Sequence, residues 1–146
     1  MLSKETCMHA SLFLAWLIAL IATLFSLYSS EVLGMTVCHL CWYQRICLYP
    51  LVWILGVAAF RGDAHVIPAV ILSPILAIIF GVYQYLEQMI PGFSPIKLCT
   101  MGGDCSIIHF QWLGFITYPL LSVFASVLIA LLLWVAHVCR WSASSL

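Results

Sequence analysis

Apolar and polar positions along this chain separate into four long apolar runs joined by three polar connections. The runs cover about residues 8–28, 42–60, 66–86 and 115–138. The first carries no charge, and the second carries one, Arg45, near its start. Each run matches the roughly 20 apolar residues that carry a helix across a hydrocarbon core about 30 Å thick. The first is longer than the ~7–15-residue apolar stretch of a secretory leader, and no A-x-A site follows, so it reads as a span. The pattern predicts an all-α membrane protein, a bundle of four transmembrane helices forming one domain over residues 1–146.

The connections set the topology. Ser29 to Cys41 joins the first two spans, and Arg61 to His65 makes a tight polar turn between the second and third. Glu87 to Gly114 is the long connection, broken by Pro91, Gly92, Pro95, Gly102 and Gly103. Its segment Ile107 to Trp112 alternates apolar and polar side chains and suits a membrane surface or an apolar tether. Pro50, Pro68 and Pro74 fall inside spans, where neighbouring helices make proline tolerable. Gly56, Ala58 and Ala59 permit close helix contact.

Composition narrows the class. Of 146 residues, 65% are hydrophobic and 7% charged, with five Lys/Arg against five Asp/Glu. A soluble domain averages about 25% charged residues, and a small fold cannot hide this much apolar surface. The balance excludes an ordinary soluble enzyme, a disordered chain and a nucleic-acid binder, and makes lipid the surrounding partner. Lys4, Arg61 and Arg140 fall on one side of the membrane; Lys97 falls on the other, with Arg45 near it. By the positive-inside rule both termini are cytoplasmic, and the loops at 29–41 and 87–114 face outward.

That topology sorts the seven cysteines. Cys7 and Cys139 sit at the cytoplasmic ends, where thiols stay reduced, and Cys47 lies within the second span; all three read as small buried apolar residues. The other four lie outside in two pairs. Cys38-His39-Leu40-Cys41 stands at the mouth of the second span, and Cys99 and Cys105 bracket Thr100-Met101-Gly102-Gly103-Asp104 in the long loop. Such short loops gain little from a disulfide by chain entropy, so a stabilising role explains them poorly. Haem attachment would need a His after the second Cys, and Trp42 stands there. A zinc site could use all four Cys, or His39 with three of them. A dithiol/disulfide redox pair is the reading the surroundings favour.

Arg45 follows Cys41 by one helical turn, so both project from one face. A fixed positive charge and a helix N-terminus both favour the thiolate, the reactive form in exchange. Gln44, three residues from Cys41, could donate to a bound polar ring; His39 could move protons but reads as a solvated loop side chain. The chain carries no haem, flavin or nucleotide motif. The natural electron acceptor is then a small lipid-soluble oxidant such as a quinone, its ring against Trp42 or Tyr43 and its oxygens near Arg45. Gly102 and Gly103 would let the loop pair approach the first pair and an outside protein thiol.

Cys38-His39-Leu40-Cys41-Trp42-Tyr43-Gln44-Arg45 resembles the C-x-L-C-x-Y-x-R signature of the DsbB/BdbC family of disulfide-forming membrane proteins, and Tyr49-Pro50 fits the same pattern. The resemblance covers essentially the whole chain. It implies a protein dithiol:quinone oxidoreductase of the bacterial cytoplasmic membrane, with both Cys pairs facing the periplasm or exterior. The electron acceptor would be ubiquinone or menaquinone, and the partner an extracytoplasmic thioredoxin-like thiol oxidase of the DsbA/BdbD type. Carried over by position, Cys99 would form the mixed disulfide with that partner, and Cys105 would resolve it and exchange with Cys38. Cys41 would form the adduct with quinone, and Arg45, with Gln44 and Trp42, would hold the ring. The six-position spacing of Cys99 and Cys105 is closer than in the best-known DsbB proteins and more like the BdbC branch. Two alternatives remain: a vitamin K epoxide reductase-like enzyme, whose pairs run in the opposite order along the chain, and a non-enzymatic metal-binding tetraspan protein.

Overall fold

A computed structural model describes residues 4–90, 92, 93, 108, 111 and 113–144. It is all-helical. Helix α1 spans Lys4–Glu31, α2 His39–Arg61, α3 Ile67–Val70, α4 Leu72–Met89 and α5 Tyr118–Ser144, with a 3-10 turn at Ala64–Val66. The turn, α3 and α4 make one continuous span, so four helical segments are long and apolar enough to cross a membrane. Each apolar run of the sequence corresponds to one of them. Cys99, Cys105, Lys97 and the Gly102-Gly103 pair lie outside the described residues, as does most of the 107–112 segment.

The helices reach beyond the apolar runs because polar flanks continue the hydrogen-bond ladder. The second begins at His39, three residues earlier than its apolar run, with Cys38 as its N-cap. Cys41 therefore sits in the first helical turn. The third span bends at Ile71. Pro74, one turn into α4, has no N–H for the carbonyl of Val70, and its ring crowds that carbonyl. At the turn after α2, Gly62 takes a left-handed conformation (φ 67°) and its N–H donates to Ala58 O, a geometry that favours glycine. The Asp63 carboxylate then accepts from the His65 N–H at 2.8 Å and starts the next segment.

The helices form a ring. α1 packs on α2 and α5, and α4 packs on α2 and α5, while α2 and α5 barely touch across the diagonal. Small and polar residues face inward: Ser11, Ala15, Ala19, Ala58, Ala77, Ser126 and Ala136 are buried. Leu12, Leu51, Leu55, Ile129 and Leu133 are buried among them, while large aromatic residues are turned outward, among them Trp53 (79% exposed), Phe60, Phe124, Trp134 and Trp141. That arrangement suits a bundle surrounded by lipid, where tails solvate Leu and Trp well and close backbone approach supplies the packing energy. A Cβ at Gly56 would lie 2.9 Å from Trp16 Nε1, and one at Gly81 2.5 Å from Val123 Cγ2. Both positions require the absence of a side chain. Ser73 adds a polar tie, its hydroxyl donating to Cys47 O at 2.6 Å.

Lys4, the Arg61–His65 turn and Arg140 gather at one end of the bundle. Lys4 Nζ donates to Ser142 O at 2.7 Å, and Arg140 donates to Ala64 O at 3.1 Å and meets His65 Nδ1 at 2.8 Å. Cys47 is a free thiol buried in the core beside Leu48 and Leu51, as its apolar reading expected. Cys7 and Cys139 depart from that reading. Their sulfurs are joined in a disulfide across a Cα–Cα separation of 6.4 Å, because α1 begins where α5 ends. Linear sequence separated two residues that helix pairing brings together. In protein purified without reductant, denaturation and maleimide labelling leave Cys7 and Cys139 unmodified, and prior reduction exposes both; peptide mass spectrometry reads the difference.

Candidate functional site

The first turn of α2 builds the site. Cys38 caps the helix in extended conformation (φ −77°, ψ 168°), and its carbonyl accepts the Trp42 N–H at 3.1 Å. No side chain caps this end, so the N-terminal N–H groups and the positive pole of the helix lie beside Cys38 and Cys41. The two sulfurs are free thiols 3.0 Å apart. This hydrogen bond, then burial, raises the Cys38 thiol above its ordinary pKa, so Cys38 is the protonated partner. Leu40, fully buried, anchors the turn against Phe80 and Tyr83 of α4.

Two glutamines complete the centre. Gln84 of α4 donates from Nε2 to Cys38 Sγ at 3.2 Å and to Cys41 Sγ at 3.1 Å. Gln44 Nε2 donates to Gln84 Oε1 at 2.8 Å. Both side chains are buried, Gln44 6% and Gln84 3% exposed. Gln44 thus spends a donor on Gln84, where the sequence reading had it available for a bound ring.

Arg45 is tied to α1. Its Nε donates to Ser26 Oγ at 3.0 Å and its Nη2 to Ser26 O at 2.9 Å, so α1 holds the guanidinium inside the bundle. Tyr49 supports the same hydroxyl at 3.3 Å. The guanidinium carbon lies 5.6 Å from the Trp42 ring centre and 6.0 Å from that of Tyr49. Trp42 itself is 53% exposed and is not among the residues lining the cavity described next. His39 is not the solvated side chain expected. It opens α2 half-buried, with Nδ1 shielded and without a hydrogen-bond partner.

A cavity of about 440 Å³ lies between α1, α2, α4 and α5. Its wall is mainly apolar, and Cys38, Cys41, Gln44, Arg45, Gln84 and Gln88 converge on it. That combination of size, apolar lining and few placed polar groups is typical of a small-molecule site. Thr23 and Thr117 also line it, and the buried hydroxyl oxygen of each has no hydrogen-bond partner. Unsatisfied buried hydroxyls cost about 1–3 kcal/mol each, a cost that a polar ligand can offset. Among the described residues no three His, Cys, Asp or Glu side chains come together as a metal site would require.

Gln84, Gln88, Ser26 and Thr117 were not singled out in the sequence. A signal for the first two existed. Ala77, Gly81, Gln84 and Gln88 recur at helical spacing along a strongly apolar run, marking one small and polar face. Ser26 and Thr117 carried no comparable mark.

The family model for disulfide bond formation protein DsbB matches residues 9–136. A probable disulfide formation protein of Coxiella burnetii (strain Dugway 5J108-111) is 48% identical over 137 residues, covering 93% of each chain. Disulfide bond formation protein C of Bacillus subtilis (strain 168) is 49% identical over 118 residues, covering 81% of this chain and 86% of that one. A probable disulfide formation protein of Chlamydia trachomatis is 45% identical over 127 residues, covering 86% and 90%. No solved structure matches significantly. With a thiol pair at the mouth of a four-span membrane bundle and relatives of this kind along most of its length, the chain belongs to the DsbB family, multi-pass membrane oxidoreductases of disulfide bond formation.

Proposed function

We propose that the protein is a quinone-dependent thiol oxidase that re-oxidises an extracytoplasmic thioredoxin-like protein of the DsbA/BdbD type. The observation that carries this reading is the placing of the Cys38–Cys41 dithiol on the wall of an apolar cavity that also presents Arg45. The cavity's volume and its two unsatisfied threonine hydroxyls suit a flat ring with polar oxygens. Arg45, Thr23 and Thr117 would hold a quinone there, and it would supply the two-electron acceptor for closure of the Cys38–Cys41 disulfide, with one proton coming from the Cys38 thiol and the other from solvent.

The chain's own residues prepare that step. The helix N-terminus, the Cys38 thiol and the Gln84 amide all favour negative charge on the Cys41 sulfur. Arg45, fixed by Ser26, offers an immobile positive charge to the same cavity and needs no rearrangement as charge develops. A thiolate of the partner opens the Cys99–Cys105 disulfide, forming a mixed disulfide with Cys99 and freeing Cys105 as a thiol; the partner's second thiol then displaces Cys99, releasing the partner oxidised. The resulting Cys99–Cys105 dithiol then reduces the Cys38–Cys41 disulfide by exchange, so two electrons pass inward per cycle and the centre is ready to be drained again.

Both pairs face the exterior of a bacterial cytoplasmic membrane, and the end bearing Lys4, Arg61 and Arg140 faces the cytoplasm. That orientation puts the Cys7–Cys139 bond on the reducing side. Bonds in that position are seldom permanent, so the pair populates the dithiol as well as the disulfide in cells.

Purified protein mixed with a reduced thioredoxin-like thiol oxidase and a soluble quinone consumes quinone absorbance, and the loss depends on both Cys41 and Cys99. Absence of turnover, with zinc present in the preparation, would instead favour a metal-binding role. Arg45→Ala keeps the fold and lowers quinone reduction by about a hundredfold while leaving partner exchange near the parent rate; equal rates of quinone reduction in the two proteins would remove Arg45 from the mechanism. For sidedness, Asp63→Cys reacts with a membrane-impermeant maleimide only after cells are permeabilised, and labelling of intact cells would reverse the orientation.

A further inference from the structure

Gln84 donates hydrogen bonds to both sulfurs of the pair. The two sulfurs stand 3.2 and 3.1 Å from its amide nitrogen and 3.0 Å from each other, so they share the N–H donors of one amide group. Its oxygen accepts from Gln44. That acceptance couples the two amides, because Gln84 cannot turn over without opposing Gln44 Nε2 with its own nitrogen unless Gln44 turns with it. Gln44 thus acts as an orienting residue, and Gln84 as the donor it orients. Gly81, one turn earlier on α4, keeps this place open; a Cβ there would lie 3.6 Å from Gln44 Oε1 and collide with Val123.

We propose that Gln84 is a catalytic residue of the dithiol centre, whose amide, oriented by Gln44, holds Cys41 as the reactive thiolate and keeps both sulfurs in line for bond closure. The proposal deepens the oxidase reading and rests on it for the step served. The near-equal distances matter for that step. The sulfurs approach by about 1 Å when a disulfide about 2.05 Å long replaces the 3.0 Å contact. A donor placed symmetrically keeps both bonds through that movement, where a donor to one sulfur would lose alignment. When the bond forms, the Cys38 thiol gives up its proton, the pair passes two electrons to the quinone acceptor of the proposed reaction, and Gln84 is left facing two neutral sulfurs.

The surroundings leave the amide little competition. Among the described residues, the ionisable groups lining the cavity besides the two thiols are Arg45 and Tyr49 from α2 and Tyr118 from α5, while Tyr83 of α4 packs behind Cys38 and Leu40 and His39 stands beside Cys38 at the start of α2. Arg45 is committed to Ser26 and acts on Cys41 through space. A buried glutamine pair could equally be packing whose polar atoms happen to be satisfied. The two roles differ in reactivity, since packing alone does not tune a thiolate.

The test is alkylation of the fully reduced protein in detergent by iodoacetamide across a range of pH, with labelling of Cys41 and Cys47 read separately by peptide mass spectrometry. Gln84→Leu slows Cys41 labelling at neutral pH by about tenfold or more and displaces its pH–rate profile to higher pH, as expected for loss of a hydrogen bond to a charged sulfur. Gln84→Glu slows it further by adding like charge. Gln44→Leu, which retains Gln84 but frees its amide to turn, gives a severalfold loss. Cys47, buried away from the amide, labels slowly and equally in all four proteins. Unchanged Cys41 rates in the Gln84 variants overturn the proposal, and so does a joint rise of Cys41 and Cys47 labelling, which marks loosened packing. The assay needs neither quinone nor partner. Failure of the parent protein to turn over quinone would therefore sink the oxidase reading while leaving this result to be judged by itself.

Discussion

A hydrocarbon bilayer offers no hydrogen-bond partner to a peptide group, and this constraint shapes the rest of the molecule. Each segment that crosses must satisfy its own backbone, which only a helix does within a single strand of chain. Once four helices exist, lipid already solvates their large apolar side chains. The interior combines aliphatic side chains such as Leu12, Leu55 and Leu133 with polar residues that lipid would not tolerate and residues small enough to let backbones meet. Ala15, Ala19, Gly56, Ala77 and Gly81 are the small residues, and the glutamines, serines and threonines the polar ones.

The surroundings of the Cys38–Cys41 pair are a product of that sorting. A polar group turned inward must find a partner there, and Gln84 finds the two thiols at the open end of α2. A guanidinium one turn below finds the carbonyl and hydroxyl of Ser26. These contacts leave a gap between α1, α2, α4 and α5, and threonine hydroxyls face it without partners. Stability and function thus pull apart locally: filling the gap with larger side chains would bind the helices better and remove the place where a ligand fits.

Much of this was legible in the sequence, for physical reasons that differ by residue. The four spans follow from length and hydropathy alone, and the thiol pair from its spacing. Cys41 and Arg45 could be set on one helical face because their separation is local. What local spacing cannot reveal is which distant residue completes a local motif. Gln84 is 43 positions from Cys41, and its role depends on how α4 packs on α2. The same limit explains Cys7 and Cys139, whose partnership is a matter of helix pairing. Trp42 shows the opposite error, since adjacency to Cys41 suggested a cavity wall while the helix turns the ring outward. The loop pair, Cys99 and Cys105, remains a matter of sequence and family.

The bond between Cys7 and Cys139 gives the chain a topology that its helices alone would not have. With residues 132 positions apart joined, nearly the entire polypeptide becomes a closed covalent circle. A linear chain cut once falls into two pieces, whereas a circle cut once remains a single molecule. A single proteolytic nick anywhere between these residues, including in the long connection between α4 and α5, therefore releases no helix. The oxidised molecule tolerates the loss of one peptide bond in its longest loop without losing its connectivity, and the reduced molecule does not.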